Sequence, residues 1–334
     1  MRRMLIAAIA TVVLFAIPAN AQPVKLKFAS LEPLTANITA NVWTPWAADV
    51  TRDSGGALEI EMYPIGTLNR NPVLQLKLLQ DGVLDVAFIV PAFTPGRFDD
   101  NEVVELPFLV RSTLEGSLAL WRLYAKGMLR GYEDLKVVGL FTTPPTNVQA
   151  AFPVKTPADL KGKKFRSAGG FQAKVLEQLG AVGVVIPGTQ VAENLSRRLL
   201  DGALVEWNFV ASWRVMDVTT HHVIVPMGTN TLMVAMTKDG YDRLPPAAKA
   251  AIDKHSGEAF ARRFGANLDK FNAEMIERAR KEPNHTVIGP SSEEDARWRA
   301  AVTPAIEAWR KANPRNEALL KAYEEELAAV RAGR

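Results

Sequence analysis

The chain has 334 residues, 48% of them hydrophobic and 23% charged, with a formal net charge of +4 and no cysteine. Such a composition belongs to a folded chain long enough for two cores and excludes an intrinsically disordered one. The lack of cysteine excludes a disulfide framework, a thiolate metal site and a lipid-attached cysteine at the end of a signal segment.

The chain opens on MRRMLIAAIATVVLFAIPANA: two arginines, an apolar run from Met4 to Ile17, and the small-x-small triplet Ala19-Asn20-Ala21. This is the pattern of an export signal cleaved after Ala21, and the run is short for a bilayer span. Removing Arg2 and Arg3 from 40 basic residues against 36 acidic ones lowers the net charge from +4 to +2. The remaining basic residues are spread along the chain rather than concentrated with aromatics, which argues against nucleic-acid binding. The expectation is a periplasmic, unanchored protein.

Strand periodicity appears first in VKLKFAS, Val24 to Ser30, and again in LEIEMY, Leu58 to Tyr63. Between them NVWTPWAADVTRDSGG reads as a helix interrupted near Pro45 and ended by Gly55. In NPVLQLKLLQDG, Asn71 takes the N-cap, Pro72 the first helical position and Gly82 the end, and the strand LDVAFIV follows. Ser112 and Glu115 have capping-box spacing before a helix through Trp121 and Tyr124. KVVGLF is a strand, and the proline-rich TTPPTNV after it has no period and marks a domain crossing.

From Val148 the alternation restarts. A capped turn at TPADLKG leads to strand KKFRSA, helix GFQAKVLEQLG, strand VGVVI, helix TQVAENLSRRLL and strand GALV. HHVIVP and the strand Thr231 to Thr237 follow. Beyond Pro246 almost everything has helical period, including one long amphipathic run into Lys281. Two α/β lobes with a small-molecule cleft between them fit this order.

Catalytic signatures are missing: there is no G-x-S-x-G, H-E-x-x-H, Walker loop or G-x-G-x-x-G. His221 and His222 are adjacent, which on a strand sends them to opposite faces, so they read as surface or loop residues rather than a metal pair. Glu293, Glu294 and Asp295 open a helix, where negative charge suits the dipole. Binding without chemistry is favoured, with no cofactor and no metal.

One charge in TPADLKGKKFRSAGG stands apart. Thr156 and Asp159 cap the turn, Pro157 starts it and Gly162 ends it, but Arg166 falls inside the next strand on the face opposite Phe165. No carboxylate follows in SAGG. A buried guanidinium needs a partner, and its planar fork matches a carboxylate in two parallel hydrogen bonds. On these residues alone, a surface or internally paired arginine remains equally open.

The whole mature length resembles a substrate-binding protein of the tripartite ATP-independent periplasmic (TRAP) transporters. The likeness is carried by YPIGTLNRNPVLQLKLLQDGVLDVAF, FTPGRFDDNEVVELPFLV, TPADLKGKKFRSAG, LDGALVEW and LPPAAKAAIDKHSG in that order. It implies a two-lobed α/β fold of the periplasmic-binding-protein type, with crossing strands, a long helix between lobes and a closing cleft. Lobe I would take residues 22–143 and 231–270, and lobe II residues 144–230 and 271–334 with the C-terminal helices. It also implies that Arg166 holds a ligand carboxylate and that a monomer delivers an organic acid to TRAP permease subunits.

Departures from the family pattern bear on the ligand. Sialic-acid-binding members carry a second arginine where this chain has Thr146, and an asparagine where it has Val205; Trp207 and Asn208 follow. A pocket poorer in polar partners suits an aromatic or hydroxy/oxo monocarboxylate better than a C4-dicarboxylate or sugar acid. Ala192 replaces a common tyrosine and Arg198 a glycine. Further candidates are Glu32 and Asn69 after the first two strands, Phe93 after the third, and Phe171, with Phe93 and Trp207 placed to sandwich a ring. The rival readings are a ligand sensor of the same fold and a secreted enzyme.

Overall fold

A computed structural model describes residues 22–69 and 71–334. The expected signal segment, residues 1–21, lies outside the described residues. One sheet holds β1 (Val24–Ala29), β2 (Leu58–Tyr63), β3 (Val86–Ile89) and β4 (Leu135–Thr142), joined late in the chain by β10 (Thr231–Thr237), in the order β2-β1-β3-β10-β4. The other holds β5 (Asn147–Ala150), β6 (Lys164–Ser167), β7 (Val182–Val185), β8 (Gly202–Val205), β9 (His221–Val223) and β11 (Thr286–Ile288), in the order β11-β9-β5-β8-β6-β7.

Strand alternation does what the sequence predicts: Leu26 and Phe28 of β1 are buried while Lys25 and Lys27 face solvent. Helix punctuation also matches. The Asn71 side chain accepts from the Val73 N–H at 3.1 Å, and Ser112 Oγ accepts from Glu115 N at 3.2 Å. The second half of that box is altered, because the Glu115 carboxylate takes the N–H of Arg111 and pairs with Arg331.

The chain crosses between sheets through Thr143–Thr146 and returns through Ile224–Asn230. The two segments are bonded to each other, Thr143 N to Asn230 O at 2.9 Å and Thr146 N to Gly228 O at 2.8 Å. Gly228 has φ +84°, and a Cβ there would lie 1.9 Å from the carbonyl oxygen of Glu105. Only glycine fits that crossing.

The long amphipathic run is not one helix. It stops at Lys254 and restarts at Glu258, because Gly257 adopts φ +69° and its N–H donates to Val138 O at 2.9 Å. The restarted helix, Glu258–Lys281, ties both lobes together. Phe260 and Phe264 stack on Trp43, each with ring centroids 5.7 Å apart, in the first lobe. Met275 and Ala279 join Val205 and Trp207 in the core of the second.

Two further differences concern polar residues and short elements. Residues 286–288, read as part of a helical tail, form β11 and pair in parallel with β9. That pairing sits beside His222, which is fully buried in β9 rather than on the surface or in a loop. Its Nε2 lies 2.9 Å from Nδ1 of His285, and its other nitrogen meets the Gln149 side chain. Of the last two helices, Ser292–Ala312 packs on helix Gly170–Gln178 of the second lobe, and Pro314–Arg331 packs on helix Thr113–Ala125 of the first.

Candidate ligand-binding site

In β6 the two-residue period divides the side chains cleanly. Phe165 points into the core of the second lobe, its ring 6.2 Å from that of Phe152. Arg166 points the other way, into the cleft, and is 4% exposed. Its Nε donates to Ile186 O at 3.1 Å, and its Cζ lies 5.1 Å from the centroid of the Phe209 ring, a cation–π contact. Among the described residues no carboxylate forms an ion pair with it within 4.0 Å. Burial lowers its pKa to about 10, opposed by the charge of Glu206, so it stays cationic at neutral pH.

Arg166 opens onto a cavity of about 100 Å³ between the lobes, the scale of a hole that holds a single benzene ring. Leu31, Phe88, Val90 and Phe93 wall it on the first lobe, and Val205, Phe209 and Trp213 on the second. The walls come from the carboxyl ends of β1, β3, β6 and β8, where ligands bind in open α/β sheets. Arg166 is the one cationic side chain among the described lining residues.

Two carboxyl groups share the cavity. Glu206 follows β8 and caps helix Trp207–Ser212, accepting from Phe209 N at 2.8 Å. Glu32 follows β1 on the opposite lobe. Burial raises the pKa of Glu206 to about 8 and that of Glu32 to about 7, so neither is fully ionised at neutral pH. The amide of Asn37 donates to Asn208 Oδ1 at 3.2 Å across the cleft.

Of the sequence candidates, Arg166, Glu32, Phe93, Val205 and Asn208 line this cavity, and four others do not. Thr146 is buried in the crossing, where its hydroxyl donates to the carbonyls of Met227 and Gly228. Trp207 lies behind the wall, its Nε1 donating to Asn147 Oδ1 at 3.1 Å and its ring 5.1 Å from His222. The expected Phe93–Trp207 sandwich is therefore not formed; Phe209 holds the aromatic position on that lobe. Asn69 braces its own loop through Asn71, and Phe171 packs against Trp309. Sequence reasoning missed Glu206, Phe209, Trp213 and Asn230. The first two had a signal, since both lie just past the carboxyl end of β8, where ligands bind in open α/β sheets.

Comparison with known proteins identifies the family and the fold. The family model described as bacterial extracellular solute-binding protein, family 7, matches residues 28–312. The C4-dicarboxylate-binding periplasmic protein DctP of Rhodobacter capsulatus is 26% identical over 318 residues, 90% of each chain. A TRAP solute-binding protein from an unidentified marine microbe, solved with 3-hydroxybenzoate, shares 29% identity and a TM-score of 0.87 over 92% of this chain and 99% of its own. Another from Rhodoferax ferrireducens, solved with copurified benzoate, shares 28% identity and a TM-score of 0.88 over 93% and 100%. The two-lobed α/β architecture is thus that of TRAP periplasmic solute-binding proteins, and this chain belongs to the family 7 bacterial extracellular solute-binding proteins.

Proposed function

We propose that the protein captures a small aromatic monocarboxylate in the periplasm, holding the carboxylate on Arg166 and the ring among Phe88, Phe93 and Phe209, and presents it to a TRAP-type membrane permease. The observation that carries this reading is a buried guanidinium with no ion-pair partner among the described residues, opening onto a ring-sized cavity walled by Leu31, Phe88, Val90, Phe93 and Phe209. Benzoate and 3-hydroxybenzoate in the two similar structures support the ligand class. A C4-dicarboxylate fits less well, because its second carboxylate would meet Glu32 and Glu206 instead of a cation. A sugar acid would have to desolvate several hydroxyls against the walls made by Leu31, Phe88, Val90, Phe93 and Phe209.

The test is calorimetric titration with benzoate, hydroxybenzoates, phenylacetate, mandelate, succinate and glucuronate. Aromatic monocarboxylates are expected to bind tightest and to be recovered unchanged. Arg166→Ala is expected to cost about 2–5 kcal/mol, roughly thirty-fold to several thousand-fold in affinity. Arg166→Lys restores only part, since an ammonium makes no bidentate contact. Affinity within three-fold of wild type for Arg166→Ala would overturn the assignment.

A further inference from the structure

The carboxylate-binding end of the cavity accounts for Arg166, but the cavity also carries polar atoms that a benzoate-like acid leaves unsatisfied. Glu206 is 5% exposed; its Oε1 accepts the Phe209 N–H, and its Oε2, near the Asn208 amide, has no well-aligned partner among the described residues. Glu32, from the other lobe, is 6% exposed; Ser212 and Asn208 lie beside its carboxyl, but its Oε2 has no well-aligned partner among the described residues either. Asn230, on the returning crossing segment, is 7% exposed, and its Oδ1 has no partner among the described residues. All three side chains line the cavity that Arg166 enters. Buried acceptors without donors are costly, and three converging on one space from three elements mark a place for a donor.

We propose that the ligand carries a hydroxyl on its ring, and that Glu206 and Glu32 receive it with Asn230 beside them. This rests on the aromatic-acid reading above and adds a specificity determinant to it. A hydroxyl suits the site in either protonation state. It donates to an ionised carboxylate and accepts from a neutral carboxyl, and burial keeps both glutamates between those forms near neutral pH. An ether oxygen can only accept, and an ammonium can only donate and would have to be desolvated among Phe88, Phe93 and Phe209. A bare ring satisfies none of the three acceptors.

Calorimetry at pH 7 on the purified protein separates these cases, using benzoate, 3- and 4-hydroxybenzoate, the matching methoxybenzoates and 3-(aminomethyl)benzoate. The better hydroxybenzoate is expected to bind about ten-fold tighter than benzoate or its methoxy counterpart. In Glu206→Gln, the Oε1 still accepts the Phe209 N–H and an amide donor faces the ligand, so the hydroxyl-over-methoxy preference should shrink below about three-fold. Glu32→Gln provides the same readout from the other lobe. Benzoate binding within three-fold of both hydroxybenzoates, with Arg166→Ala still abolishing it, overturns the hydroxyl inference and leaves the aromatic-acid reading standing. Tightest binding of the aminomethyl acid overturns it in favour of a zwitterionic ligand. If none of these acids binds, the aromatic-acid reading falls and the hydroxyl with it.

Discussion

Asn37 and Asn208 join the lobes directly: the amide of the first, beyond β1, donates to the Oδ1 of the second at 3.2 Å. The same amide also reaches Asn267 Oδ1 on the long helix at 2.9 Å, and Asn37 Oδ1 accepts from Asn41 at 3.0 Å. Asn37 is thus fixed on its own lobe and on the connecting helix, and any parting of the lobes would break its bond to Asn208. A contact made in one of two states biases their populations by its own free energy.

Asn37→Ala is expected to favour the open arrangement by about 1 kcal/mol, lowering affinity for an aromatic acid about five-fold. Calorimetry reads the affinity and small-angle scattering the spread of the lobes. An unchanged affinity and radius would mean that closure does not depend on this bond.

Trp207 and Phe209 should respond differently to truncation. Trp207 is fully buried, with its indole N–H bonded to Asn147, so Trp207→Ala is expected to cost about 3–5 kcal/mol of stability. Its choice among bound acids should not change. Phe209 is half-buried and faces both Arg166 and the cavity. Phe209→Ala should lose about three- to thirty-fold in affinity for aromatic acids, and less for aliphatic ones, through lost ring contact. Aromatic selectivity that followed Trp207 instead would remove Phe209 from the cavity wall.

That pair also shows where sequence reasoning stops. The lobes, most strands and the face on which Arg166 lies were legible because each has a local cause, a two-residue period or a capped turn, whereas the role expected of Arg166 came from the family resemblance. Val205 and Trp207, two residues apart, would share a face if β8 continued. The strand ends at Val205, and Glu206 turns the chain into a helix. That turn rotates Trp207 into the core and brings Phe209 to the cleft. The break at Gly257 and the burial of His222 were hidden for a related reason. Each is set by a tertiary partner, Val138 O in one case and Gln149 with His285 in the other.

Arg198, which stands where the family has a glycine, has φ +56°. It lies just past helix Val191–Ser196, at the left-handed position that commonly ends a helix with glycine, and its side chain is exposed. Arg198→Gly is expected to stabilise the protein by about 1 kcal/mol, while Arg198→Ala, which keeps the β-carbon, gains little. Denaturant midpoints of the three proteins check this. Equal gains from glycine and alanine would locate the effect in the lost charge rather than in backbone strain.

Glu105 is 5% exposed, its Oε2 has no partner among the described residues, and its backbone carbonyl abuts Gly228 in the crossing. Burial first, and the neighbouring Glu102 second, raise its pKa to about 8 from an ordinary 4.5. The unfolded chain therefore releases this proton near pH 4.5 while the folded chain keeps it to about pH 8. Across that window the folded state binds more protons, so its stability falls as pH rises. Glu206 and Glu32 push in the same direction. Glu105→Gln mimics the neutral carboxyl and removes one of these contributions. It should match wild type near pH 5 and exceed it at pH 8 by on the order of 2–4 kcal/mol. Denaturant unfolding at the two pH values measures the difference. Parallel losses in wild type and variant would show that Glu105 ionises in the folded protein as easily as in the unfolded one.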